Sequence, residues 1–148
     1  MTSSPYVDTS ALAKYYIAEP GSAEFETYIR ATVSAWISQL TLVEFRCLLA
    51  RRRRTGSLNA TQETGAMALF VCHVSESLWQ VQPIDDPDYA DAARLIDRMP
   101  SIPLRTLDAI HLAGALKSGT EELATADRIL AAAASASGLK PILFGDLS

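Results

Sequence analysis

Four carboxylates stand out in this sequence by what surrounds them. Asp8 closes a short apolar run in YVDTSAL, Glu44 lies in TLVEF, Asp108 in TLDAIH and Asp127 in ATADRIL. Each sits where a β-rich run gives way to a helical pattern or in the first turn of such a pattern. Gathered together, carboxylates hold a hard divalent cation, and an all-oxygen set without a Cys or His cluster suits Mg2+ or Mn2+ rather than zinc. A cation held this way activates water and steadies negative charge on a phosphate. His111, one helical turn after Asp108, is the candidate nitrogen ligand, although a single unpartnered His fits a packing or surface role better. His73 has less claim, near the end of a helix with no acidic motif beside it.

The competing explanation of each residue alone is structural. Asp and Glu favour helix N-termini because they accept hydrogen bonds from free N–H groups and complement the macrodipole. Glu44 invites this reading most, since Thr41 and Glu44 have the spacing of a capping box. The case for chemistry rests on convergence. Two unit charges about 4 Å apart at an effective dielectric near 20 repel by about 4 kcal/mol, more than a cap returns, and a cation removes the conflict.

Convergence requires a scaffold, and the hydrophobic periodicity supplies one. Strands are expected at Pro5 to Asp8, Ser34 to Ser38, Leu78 to Ile84, Glu122 to Thr125 and Lys140 to Phe144. Helices are expected at 9 to 18, 22 to 32, 41 to 54, 59 to 75, 86 to 98, 105 to 118 and 127 to 137. Asn59 and Gln62 have capping-box spacing, Gly56 and Gly138 stand where helices end, and Pro83, Pro87, Pro100 and Pro103 bracket the fifth helix. The Ala131 to Ala134 run reads as a thin helix lying close on the sheet. This is an α/β fold with a central parallel sheet of about five strands flanked by about seven helices. Parallel strands joined by returning helices bring strand C-termini and helix N-termini to one edge, where ligands bind. All four carboxylates are expected there.

Composition narrows the function. The 148 residues, 49% of them hydrophobic, are expected to form one domain spanning residues 1 to 148. No run is long and apolar enough for a membrane helix and the first 20 residues lack a signal-peptide pattern, which points to the cytoplasm. A net charge of −4 disfavours a protein that coats nucleic acid non-specifically but is compatible with a nuclease whose carboxylates bind metal. Cys47 and Cys72 lie in apolar helical patterns and are expected to be buried thiols rather than a disulfide or zinc site.

The ordered motifs resemble a known family. VDTSALAKYY, LTLVEF, RTLDAIHLAGAL and LATADRILAAAASASGLKPI, with RRRRTGSLNATQ between them, look like a PIN domain, in the branch of the VapC toxins of VapBC toxin–antitoxin pairs. The resemblance implies a Rossmann-like three-layer sandwich and metal-dependent endoribonuclease activity, with one or two Mg2+ or Mn2+ ions per site. It also implies products with a 5′-phosphate and a 3′-hydroxyl, a VapB-like antitoxin, an RNA substrate and a homodimer. The family's acidic positions fall on Asp8, Glu44, Asp108 and Asp127. Asp8 is the expected principal or bridging ligand, Asp108 and Asp127 complete the set, and Glu44 either binds through water or orients the nucleophile. Thr125 matches a small polar position that supports the site, and Thr9 is expected to help.

The Arg51 to Arg54 run invites an RNA-binding role, but Arg52 stands about 12 Å along its helix from Glu44, and arginines at a helix C-terminus also suit the macrodipole. Arg105 and Arg128, each close to a carboxylate, are better placed for phosphate contacts, so removing their charge is expected to weaken cleavage more than the same change at Arg52. The helices carrying Leu42, Phe45 and Leu49, or Met67, Phe70 and Val71, have apolar stripes that serve either the core or a partner. Rival functions are a housekeeping PIN-type RNA-processing nuclease, another metal-dependent phosphohydrolase and a non-catalytic interaction module. An aspartyl phosphatase is disfavoured, because Thr9 and Ser10 follow Asp8 where a DxD pair is wanted.

Overall fold

A computed structural model describes residues 4–145. Five strands alternate with helices: β1 (Tyr6–Val7), α1 (Thr9–Tyr16), α2 (Ser22–Arg30), β2 (Ala35–Ser38), α3 (Gln39–Arg54), α4 (Ala60–Ser75) and β3 (Trp79–Gln82). Then follow α5 (Asp86–Arg98), α6 (Thr106–Ser118), β4 (Glu122–Thr125), α7 (Arg128–Ala136) and β5 (Lys140–Leu143). All pairings are parallel and the order is β3-β2-β1-β4-β5. The chain steps outward from β1 to β3, then crosses to the other side of β1, so a topological switch point lies between β1 and β4.

Side-chain alternation divides the core between the two faces of the sheet. Val7, Ala35, Ile37 and Ala124 join Leu12, Phe25, Phe45 and Phe70 of α1 to α4 on one face. Tyr6, Leu123 and partly buried Trp36 join Leu95, Leu112 and Leu130 of α5 to α7 on the other. This is the expected three-layer α/β sandwich, with β1 at its centre. Burying both faces explains why the strands read as apolar runs. Ala131, Ala133 and Ala134 are buried, so α7 does lie close on the sheet.

The ends of the elements follow local chemistry. Asn59 and Gln62 exchange the two hydrogen bonds of a capping box, at 2.8 and 2.9 Å. Gly56 and Gly138 follow α3 and α7 with φ of 84° and 89°, the left-handed conformation that favours glycine. The strand expected to run to Ile84 ends at Gln82, before Pro83, which has no N–H to donate. Two expectations are overturned. α3 starts at Gln39 with Ser38 as its cap, its hydroxyl accepting from the Leu40 amide at 3.0 Å, so the Thr41–Glu44 capping box does not form. Cys47 and Cys72 are free and exposed rather than buried, because the inward face of α3 is Thr41, Phe45 and Leu49, and that of α4 is Phe70.

Among the described residues, no helix is long and apolar enough to cross a membrane.

Candidate metal and phosphodiester site

The switch point is built around Asp8, which follows β1 and is 4% exposed. As cap of α1, its Oδ1 accepts from the Ala11 amide at 3.0 Å. The Ser10 hydroxyl lies 2.8 and 2.9 Å from its two oxygens, and Thr125 donates to Oδ2 at 2.7 Å. The same two hydroxyls accept backbone N–H groups from the facing turn, Ser10 from Ala126 at 2.9 Å and Thr125 from Asp127 at 3.0 Å. The turns that follow β1 and β4 are thereby stitched together beneath the carboxylates. Ser10 has a part that sequence reasoning missed, although a hydroxyl two residues after Asp8 was its available signal.

Asp127 caps α7, its Oδ1 accepting from Ile129 and Leu130 at 2.8 and 3.3 Å. Asp108 does not cap α6. Its Oδ2 is buried without a hydrogen-bond partner, and the nearest cation, Nε of exposed Arg105, stands 3.9 Å away. An orphaned carboxylate oxygen is costly in a folded protein and calls for a ligand or a proton. Glu44 Oε1 is 2.6 Å from His111 Nε2 and accepts from Thr9 at 2.7 Å, with Thr41 Oγ1 a further 3.1 Å from Thr9 Oγ1. Glu44 is thus turned toward the interior by partners from α1 and α6.

The charges of these groups act on one another. Burial raises the Asp8 carboxyl above the usual carboxylate range, against the opposing pull of His111, Thr125, Ala11 and Ser10. Asp108 is raised by burial and by the charges of Asp127 and Asp8, with Arg105 and His111 opposing. Burial also works to raise Glu44, but the His111 and Thr9 contacts outweigh it and hold Glu44 low. His111 is 3% exposed; burial works to lower it, yet the Glu44 hydrogen bond and the charges of Asp8, Glu44 and Asp108 raise it. Its expected packing or surface role is therefore corrected in part: it is buried, and both ring nitrogens are engaged, Nδ1 lying 2.8 Å from the Tyr6 hydroxyl. His73, by contrast, packs among aromatic rings on the other face, 2.6 Å from the Tyr16 hydroxyl.

Among the described residues, no three His, Cys, Asp or Glu side chains stand as a finished metal-chelating set. Asp8 is occupied by hydroxyls, Asp127 by the amides of α7 and Glu44 by His111. The fit to a hard cation is one of chemistry: all-oxygen donors, a buried orphan oxygen on Asp108, burial that raises Asp8, and burial with the charges of Asp127 and Asp8 that raises Asp108.

Beside the acids runs a groove of about 800 Å³. Thr9, Ser10, Glu44 and Asp108 lie along it, with Leu48, Ile96, Leu104 and Leu107 as apolar wall and Arg51 and Arg105 as cations. Arg51 revises the expectation for the arginine run. It stands seven residues, two turns, beyond Glu44 on the same face of α3, whereas Arg52 pairs with Glu19 at 2.7 Å and Arg53 lies 3.8 Å from Glu63. Arg128 is exposed at the start of α7 and does not line the groove.

The acids at the switch point of this parallel sheet lie beside a groove carrying arginines, at the edge where sheets of this class bind ligands. The chain matches the PIN domain family over residues 6–136 and belongs to it. No curated protein sequence matches the chain. Solved structures share its fold: VapC20 of Mycobacterium tuberculosis, described as a sarcin–ricin loop cleaving toxin, is 20% identical over 92% of this chain and 96% of its own, with a TM-score of 0.71. FitAcB from Neisseria gonorrhoeae is 16% identical over 93% and 95%, with a TM-score of 0.66. A toxin–antitoxin complex from Klebsiella pneumoniae includes a chain 21% identical over 84% and 87%, with a TM-score of 0.53.

Proposed function

We propose that this protein is a divalent-metal-dependent endoribonuclease and the toxin of a toxin–antitoxin pair. The observation that carries the reading is Asp108, which keeps a buried, unpartnered oxygen and is raised by burial and by the charges of Asp127 and Asp8. Asp108 makes no capping hydrogen bond to α6, so helix capping does not account for it. The toxin role is supported by the similar structures, which include a toxin that cleaves the sarcin–ricin loop and a toxin–antitoxin complex.

Asp8, Asp108 and Asp127 would hold the cation, Mg2+ or Mn2+, with Glu44 bound through water or orienting the attacking water. When bound, the cation supplies a water that ionises near neutrality and charge to offset the phosphate. The chain's residues do the rest. Ser10 and Thr125 fix the Asp8 carboxylate, and the backbone amides of α7 fix Asp127. Arg105 and Arg51, projecting into the groove, would hold phosphates of an RNA strand and set its register against the acids. The cognate antitoxin and a second copy of the chain are the partners this reading assigns.

One observation favours a second reading: Asp8 and Asp127 do cap α1 and α7, as a non-catalytic docking module would require. Cleavage decides. Purified protein given transfer, ribosomal and unstructured RNAs is expected to cut with Mg2+ or Mn2+, to stop with chelator and to lose activity as Asp8→Asn. Folded, antitoxin-free protein that neither cuts RNA nor binds a divalent cation would establish the docking module instead.

A further inference from the structure

We propose that His111, locked from behind by Tyr6, is a positioning residue that fixes which oxygen Glu44 presents to the site. The inference rests on the nuclease reading above and gives Glu44 its geometry.

Glu44 accepts only, so the 2.6 Å contact requires the proton on His111 Nε2, which fixes the ring's role at that atom. The Thr9 hydroxyl donates to the same Oε1 at 2.7 Å. Two donors on one oxygen turn it inward, and among the described residues no hydrogen bond reaches Oε2, which is left for water or a cation. The ring is held in turn. Its Nδ1 lies 2.8 Å from the hydroxyl of Tyr6, a fully buried residue on the strand that delivers Asp8, and the two rings meet edge to face with centroids 5.9 Å apart.

Gly114, one turn beyond His111 on α6, makes room for this lock. A Cβ at Gly114 would stand 3.3 Å from the Tyr6 hydroxyl and 3.2 Å from Gln82 Oε1, so its bare backbone allows α6 to rest on Tyr6. One strand and one helix therefore set both ends of the acid cluster: β1 carries Tyr6 and leads into Asp8, and α6 carries Asp108 and His111. Hydrogen-bond partners that orient a ligating group typically change metal affinity or activity by about 10–100-fold when removed.

The alternative is a buried histidine that is merely satisfied, and two amide substitutions separate the cases. The amide nitrogen of His111→Gln reaches the place of Nε2 and can donate to Glu44; that of His111→Asn reaches only the place of Nδ1. Mn2+ binding followed by electron paramagnetic resonance without RNA, cleavage rates with KM and kcat resolved, and thermal melts are measured for both. Positioning predicts that Gln stays within a few-fold of wild type. Asn should weaken Mn2+ binding and lower kcat by about tenfold with KM for RNA unchanged, although both variants melt at similar temperatures. Tyr6→Phe should produce a smaller loss of the same kind. Equal binding and kcat in the Gln and Asn variants, or losses that only follow melting temperature, overturn the inference while wild-type cleavage stands. Wild-type protein that neither binds Mn2+ nor cuts RNA overturns the nuclease reading itself, and the inference with it.

Discussion

At the scale of single residues, the acid cluster stores unfavourable charge. The raised carboxyl of Asp8 favours folding while it is protonated; that contribution is complete below its unfolded pKa and is lost as pH rises through the folded value. Near neutrality Asp8 is therefore a liability in metal-free protein. Asp8→Asn, which can still cap α1, should melt at the same temperature as wild type or a few degrees higher in chelator, as read by calorimetry. A clearly lower melting temperature would instead make Asp8 a cap first. Because Asp8 and Asp108 are both raised, protons should compete with the cation at higher pH than ordinary carboxylates allow. Mn2+ affinity should fall as pH drops from neutrality, before exposed carboxylates titrate, and a binding series in pH checks this. The positions of Asp8 and Asp127 as helix caps and of Asp108 in the first turn of α6 were legible because each follows an element boundary written in the sequence, whereas Glu44 lies past the first turn of an α3 that starts earlier than expected. The partner of Glu44 was not legible, since the capping-box spacing with Thr41 offered a sufficient local explanation, and only the fold brings His111 of α6 to it. The place of Arg51 is hidden for a related reason: distance along the helix axis sets the whole run far from Glu44, whereas the face, set by seven-residue spacing from Glu44, decides which arginine lines the groove.

At the scale of elements, helix starts and stops legible in residues that act locally survive in the structure: the Asn59–Gln62 box and the glycines after α3 and α7. What failed depended on neighbours. Cys47 lies in an apolar stretch, yet three residues from Glu44 it lines the groove instead of the core, because α3 is wet on that side. Packing between α6 and β1 gives the sharpest test at this scale. Gly114→Ala would gain about 0.5–1 kcal/mol from helix propensity. The added methyl, however, meets a Tyr6 that is fully buried and hydrogen-bonded and cannot move aside, and overpacking of this kind costs about 1–3 kcal/mol. The net expectation is a melting temperature lower by about 2–4 °C. A melt at or above wild type would mean that Tyr6 is looser than its contacts indicate.

At the scale of the whole molecule, the proposed metal dependence would couple charge to stability. A cation that binds only folded protein stabilises it by about 2.7 kcal/mol at a hundred times its dissociation constant. Mg2+ should therefore raise the melting temperature of wild type but not of Asp8→Asn, so the order of the two variants in chelator reverses. The arrangement of strands carries a further consequence for the order of events in the cell. β1 is two residues long and is held between β2 and β4, and Thr125 reaches Asp8 across 117 positions of sequence. So short a strand cannot persist by itself, and contacts this distant in sequence close late. During synthesis the first carboxylate leaves the ribosome early, but its neighbours at β4 and α7 are added only near the end of the domain. On the proposed nuclease reading, a growing chain therefore lacks its assembled acid site for nearly all of its translation, and any cleavage must wait until the last strands have been made.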